Sequence, residues 1–253
     1  MGVITMKFHL LISAFCIVMI TACSSSSEPK IEIGEPIDFM TAVPNTKAQF
    51  QDGLLTGMDS SHRSIIINYL GERKVVFDDN VIIHGDLNEG LICVSNKDNG
   101  LWGYADAMGE IVIPCQFNYC SIFSDGLAYV ETDGRSYFIN KDNETVIEGL
   151  EESRGCEPFR EGYSRYYAKD GKIGFIDKDG NISIEPIYDS ASDFRDGLAS
   201  VCIGENWGVI DKSGKIVIPF EYKRRIIISE GFAIAGKADK SMVLNQLGEA
   251  VFE

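Results

Sequence analysis

The chain has 253 residues, of which 45% are hydrophobic and 24% charged, so it can bury a sizeable core and is not disordered over most of its length. A net charge of −15, with 23 Lys and Arg scattered among 38 acids, argues against nucleic acid as a partner, because phosphate binding needs a basic face. An acidic surface of this kind serves solubility first.

The first 22 residues read as a targeting segment. Lys7 supplies a positive start, Phe8 to Ile20 is an apolar run too short for a membrane-spanning helix, and Thr21, Ala22 and Cys23 close it with small residues. Ile20-Thr21-Ala22-Cys23 resembles a bacterial lipoprotein signal with its lipobox, with Thr where that family usually has a smaller residue. The resemblance implies that residues 1–22 are removed, that Cys23 is acylated, and that the protein touches a membrane through this lipid. An ordinary secretory signal with a coincidental Cys is the other reading. Residues 23–30, with Ser24 to Ser27, Glu28 and Pro29, read as a flexible tether. Ser at position 24 resembles the tethers that reach the outer membrane, so the expected address is the bacterial cell envelope, at the outer membrane or cell surface.

Residues 31–49 are expected to be an N-terminal cap or a closing segment, and residues 50–253 a repeat domain. An acidic residue followed by Gly recurs at Gly53, Gly90, Gly126, Gly162, Gly197 and Gly231, in steps of 37, 36, 36, 35 and 34 residues. An apolar residue always follows: Leu54, Leu91, Leu127, Tyr163, Leu198 and Phe232. Each then runs into a short strand such as Leu127 to Val130. A second landmark, Asp or Asn followed three residues later by Gly or Asn, recurs as Asn68 to Gly71, Asp106 to Gly109, Asn140 to Asn143, Asp177 to Gly180, Asp211 to Gly214 and Asn245 to Gly248. The first side chain bonds its own backbone two residues on and the last tolerates positive φ, which is hairpin-loop chemistry. Every unit is thus expected to hold at least one β-hairpin plus the strand after the acidic–Gly step.

Trp-Gly precedes this turn at Trp102-Gly103 and Trp207-Gly208, and Ile173-Gly174 stands in the same place. With D-G-L-A-S-V at 196–201, W-G-V-I-D-K-S-G at 207–214 and I-V-I-P at 216–219, the chain resembles the WG-repeat family over about residues 50–253. That resemblance implies an all-β array with an interaction role and no general catalytic activity. The fold expected is six tandem hairpin or meander repeats of about 36 residues, arranged as a curved solenoid or a closed propeller-like ring. The units are shorter than the ~40 to 45 residues usual for propeller blades. In favour of a ring, Ile31 to Phe50 stands where a strand completing the last unit would be supplied.

The glycine of each Trp-Gly is expected to let a neighbouring backbone approach. Trp102 and Trp207 are either exposed stacking platforms or, the favoured reading, packing between repeats. Pro114, Pro186 and Pro219 are expected at strand ends, where a missing N–H costs least.

Outside the signal and anchor the cysteines are Cys93, Cys115, Cys120, Cys156 and Cys202, with spacings of neither a metal site nor a disulfide framework. They read as buried small hydrophobes, with a Cys115–Cys120 disulfide as the alternative. Asp177-Lys178-Asp179-Gly180-Asn181 resembles part of a calcium loop, but it lacks the later Glu and falls in register with the other turns. His62 and His84 have no nucleophile or acid pattern near them and read as surface or loop residues. No metal, cofactor or catalytic residue is expected. The leading function is a membrane-anchored binding or scaffold module for protein or glycan, with a hydrolase using carboxylates from different repeats as the runner-up.

Overall fold

The computed structural model describes residues 54–59, 61–68, 73–150, 153–237, 240–245 and 248–252, all of them in the unit Pro36–Glu253. Cys23, Asp52, Gly53, the segments 1–22, 23–30 and 31–49, and Gly71 lie outside the described residues. The chain is all-β. The first sheet holds β1 (Leu54–Met58), β2 (Ser64–Asn68) and β3 (Arg73–Val76). The second holds β4 (Val81–Asn88), β5 (Leu91–Asn96), β6 (Trp102–Asp106) and β7 (Ile111–Phe117). The third is β8 (Tyr119–Cys120), β9 (Ala128–Thr132), β10 (Arg135–Ile139) and β11 (Thr145–Ile147). The fourth is β12 (Ser153–Cys156), β13 (Tyr163–Ala168), β14 (Ile173–Asp177) and β15 (Ile182–Tyr188). The fifth is β16 (Ser190–Ala191), β17 (Leu198–Ile203), β18 (Asn206–Asp211) and β19 (Ile216–Tyr222). The sixth is β20 (Ile227–Ser229), β21 (Phe232–Lys237), β22 (Lys240–Leu244) and β23 (Ala250–Phe252). Each sheet is an antiparallel meander whose strands follow chain order.

The unit is therefore richer than one hairpin plus one strand. The acidic–Gly pair is itself a hairpin loop: Ser124 and Leu127 exchange both backbone hydrogen bonds around Asp125-Gly126, as Arg195 and Leu198 do around Asp196-Gly197. Both loop residues have positive φ, 53° for Asp125 and 83° for Gly126, as a two-residue type I′ turn requires. The strand before the pair (β4, β8, β12, β16 or β20) was not foreseen. The sixth sheet draws four strands from residues 227–252 alone, so Ile31 to Phe50 is not needed to complete it.

The second landmark behaves as expected. Asp106 Oδ1 accepts from the N–H groups of Met108 (2.8 Å) and Glu110 (3.0 Å), and Gly109 follows at φ 84°. Asp177 does the same with Asp179 and Asn181, so the calcium-like stretch is one more turn of the series.

Both faces of the inner sheets are apolar because each packs against a neighbour. Ile66, Phe77, Leu87 and Ile92 fill the space between the first and second sheets. Tyr104, Phe117, Phe123 and Val130 join the second to the third. Phe138, Phe159 and Ile176 join the third to the fourth, and Phe175, Phe194 and Val201 the fourth to the fifth. Val209, Ile218 and Ile228 join the fifth to the sixth. Five of the six core clusters of the described residues join two neighbouring sheets, and the sixth, Leu55, Ile65 and Ile67, belongs to the first sheet, so stability is shared along the array.

Cys115 faces the core between the first and second sheets, whereas Cys120 lies in the core between the second and third. They stand on opposite sides of the second sheet, and all five described cysteines are free, which removes the disulfide reading. Cys93, Cys120 and Cys202 are buried.

Candidate functional site

Gly103, Gly174 and Gly208 occupy one position in three sheets. In the second sheet Trp102 pairs with Phe117 and Tyr104 with Ile113, so residues 114–116 bulge over Gly103 alone. A Cβ on Gly103 would lie 2.5 Å from the Ile113 carbonyl oxygen, and one on Gly208 2.7 Å from that of Ile218. Gly174 meets Ile184 and Pro186 in the same way. The outer strand bulges over this point where the inner one has no side chain, and β7, β15 and β19 each run for 7 residues. Tyr137 holds the corresponding place in the third sheet, where the outer strand β11 stops at 3 residues, whereas Ile65 in the first sheet pairs directly with Val76 and is not bridged by a bulge. Pro114, Pro186 and Pro219 sit inside the long strands at the bulge and not at strand ends, because a bulged residue has no ladder bond to lose.

Trp102 and Trp207 are half-buried against the cores between the second and third and the fifth and sixth sheets. Trp102 stacks on His84 with ring centroids 3.9 Å apart, and Tyr119 lies at 5.9 Å on a tilt. His84 belongs to β4 and not to a loop, and its Nε2 is 2.8 Å from Ser95 Oγ. Its ring was illegible as a partner of Trp102 because the two meet across β5. Burial lowers the His84 pKa. The neutral ring is the folded form, so its contribution to stability is present above the ordinary value of 6.5 and is lost as pH falls through the lowered one. Acid titration of the melting temperature below pH 6.5 is expected to cost His84→Gln less than the parent protein. His62 lies in the β1–β2 turn at φ 60°.

The acidic residues of the type I′ turns form a ladder between sheets. Asp125 Oδ2 accepts from the N–H of Gly162 (2.7 Å), and Asp196 Oδ2 from that of Gly231 (3.0 Å). Glu161 grips the next turn with both oxygens, from Asp196 N at 2.7 Å and Gly197 N at 2.9 Å. Glu89 reaches Gly126 N more loosely, at 3.2 Å. The N–H groups of such a turn point out of their own hairpin, so a carboxylate one repeat earlier can satisfy them. Lysines from the later turn add charge: Lys141 bridges to Glu89 at 3.1 Å and Lys212 to Glu161 at 3.2 Å. Burial alone would raise the Glu161 pKa, but the N–H groups of Gly197 and Asp196 and the Lys212 ammonium together hold it below the ordinary carboxylate value.

Beside this ladder the third to sixth sheets line a cleft of about 820 Å³, formed by Asp125, Arg160, Glu161, the stretch Ser192 to Arg195 and the stretch Arg225 to Ile228. Its three carboxylates have intramolecular partners: Asp125 and Glu161 hold the ladder, and Asp193 takes Arg165 Nε at 2.7 Å. A general acid for glycoside hydrolysis needs a raised pKa. Glu161 is shifted the opposite way. No cluster of three or more metal-ligating side chains occurs among the described residues.

The family model described as "WG containing repeat" matches residues 102–135, 173–207 and 207–240. These three segments are WG repeats. Each match begins one residue before a glycine that lies under the bulge, Gly103, Gly174 or Gly208, so the WG repeats coincide with the three sheets whose outer strand is long. No curated protein matches the sequence. Among solved structures the chain is similar to BamB from Moraxella catarrhalis, at 12% identity and TM-score 0.45 over 79% of this chain and 69% of that one. Kluyveromyces lactis Hsv2 matches at 12% identity and TM-score 0.47, over 77% of this chain and 71% of its own. The WD40 β-propeller domain of Doa1 matches at 12% and 0.41, over 83% of each.

Proposed function

We propose that this protein is a bacterial lipoprotein, anchored through Cys23, whose WG repeats form a binding or scaffold module for protein or polysaccharide in the cell envelope or outside it. The observation that carries the binding role is the division of labour within the repeat. The frame is set by glycines under the bulge and by carboxylates on turn N–H groups, so side chains elsewhere vary without disturbing it. The three WG repeats match that frame while carrying Ser124, Arg195 and Ser229 at the place before the acidic–Gly pair, of which Arg195 lines the cleft. A repeated rigid frame with a variable surface suits recognition of a broad partner. The lipobox-like Ile20 to Cys23 and the Ser-rich tether after it support the anchor. No catalytic role is assigned.

The test is retention of envelope proteins or glycans by the immobilised protein. Specific retention above an unrelated protein of equal acidity is expected, and none above that control would refute the reading. Separately, Cys23→Ala is expected to move the protein from the membrane fraction to the soluble one; a variant that still sediments with membranes would show that the anchor lies elsewhere.

A further inference from the structure

One position of the repeat changes character on the cleft. In the third sheet Ser124, the residue before the acidic–Gly pair, donates its hydroxyl to the carbonyl of Phe159 in the next sheet at 2.6 Å and so ties the two together. The same place holds Arg160 in the fourth sheet and Arg195 in the fifth. No comparable bond reaches the Phe194 carbonyl among the described residues. Where the tie is missing, the cleft opens. Arg160, Arg195 and Arg225 are exposed along it and have no ion-pair partner among the described residues, in a chain of net charge −15. The cleft thus offers three unspent guanidinium forks, while its carboxylates are already taken.

A free strand edge lies beside them. β20 is the first strand of its sheet and, among the described residues, pairs only with β21. Ser229 and Phe232 flank the two-residue loop and are the hydrogen-bonded pair nearest it, so the next pair, Ile228 with Ala233, is of the non-bonded kind. The N–H and C=O of Ile228 therefore point away from β21; Ile228 itself exposes 6% of its surface and Ile227 beside it 59%.

We propose that this cleft takes an extended acidic peptide segment of another protein, which pairs with the free edge of β20 and sets its carboxylates on Arg160, Arg195 and Arg225. Strand addition supplies backbone hydrogen bonds, and planar guanidinium groups read carboxylates at fixed geometry. A polysaccharide fits less well, since the aromatic ring lining the cleft, Phe194, is buried and offers no face for a sugar to stack on. The proposal rests on the protein-binding form of the function above.

The test uses calorimetry or NMR titration of the purified protein with a blocked heptapeptide of alternating Glu and Val. Its probes for comparison are the Gln analogue, the same peptide N-methylated at alternate backbone positions, and polygalacturonate. Saturable binding of the Glu peptide alone is expected. Arg195→Gln and Arg225→Gln are each expected to weaken it about fivefold and the pair about twentyfold, whereas Arg135→Gln in β10 leaves it unchanged. All three substituted positions are exposed, and melting temperatures check that the variants stay folded. Absence of binding to the Glu peptide, equal binding of the N-methylated peptide, preference for polygalacturonate, or indifference to both arginine substitutions would overturn the proposal. Its failure is distinguishable from failure of the binding role. If the parent protein and the Arg195→Gln/Arg225→Gln variant retain envelope proteins equally, the cleft is refuted; if neither retains any, the module is.

Discussion

Gly208→Ala is expected to cost about 3 kcal/mol of stability, or roughly 10 °C in melting temperature for a domain of this size. The added methyl would lie 2.7 Å from the Ile218 carbonyl oxygen, well inside van der Waals contact. That atom belongs to the backbone of β19, so relief requires moving a strand and not rotating a side chain. β19 also carries Ile218 and Tyr222 into the core between the fifth and sixth sheets, so its displacement loosens that interface as well. The third sheet indicates the alternative structure, an outer strand that leaves the sheet after three residues. Hydrogen exchange is accordingly expected to speed up at the end of β19, over Phe220 to Tyr222, before it does at Ile216. By contrast, Gly197→Ala has open space around the new Cβ and strains only the turn, whose φ is 77°. It is expected to cost about 1 kcal/mol. Equal losses at the two sites in a thermal melt would show that the bulge does not need its glycine.

The repeat was legible in the sequence because its punctuation is local. An Asp such as Asp211, bonding Ser213 and Lys215 within its own loop, needs nothing beyond five residues. The acidic–Gly pair declared itself by period, yet its role as a hairpin loop did not emerge, because the strands before it are poor signals: β8 and β16 are two residues long. The prolines misled for a related reason. A Pro in a β-like run argues for a strand end, and only the pairing of Trp102 with Phe117 reveals that the run bulges and continues. Features set by stacking left no trace in sequence at all. The ladder joins residues 35 to 37 apart in chain order, and the cleft exists because arginine replaces a small hydroxyl residue at a position whose partner lies one sheet away. Repetition showed which residues recur; three dimensions were needed to show what each recurrence touches.

Glu161 allows the ladder to be weighed against the strain that accompanies it. The residue sits at φ 52°, where a non-glycine side chain costs roughly 1 to 2 kcal/mol. Glu161→Gly removes this cost and, if strain were all that mattered, would stabilise the protein. The same change deletes a carboxylate that accepts two backbone N–H groups and an ammonium. Charged hydrogen bonds of this kind contribute about 1.5 to 3 kcal/mol each when shielded, and about half that at a side chain exposing 35% of its surface. The ladder term therefore wins, and Glu161→Gly is expected to lose about 1 kcal/mol net. Glu230 is the internal standard: it has the same φ of 52° and accepts no hydrogen bond from a described residue, so Glu230→Gly is expected to be neutral or slightly stabilising. The difference between the two variants in chemical denaturation measures the ladder with the backbone effect removed. The pH dependence supplies a second reading. Because the Glu161 carboxyl is held below its ordinary 4.5, its contribution is complete above that pH and disappears as pH falls through the lowered value. The gap between parent and Glu161→Gly should consequently shrink as pH falls below 4.5 through the lowered value. A gap at Glu161 that stays unchanged throughout an acid titration in which the parent remains folded would assign the effect to the backbone and leave the carboxylate ladder without energetic weight.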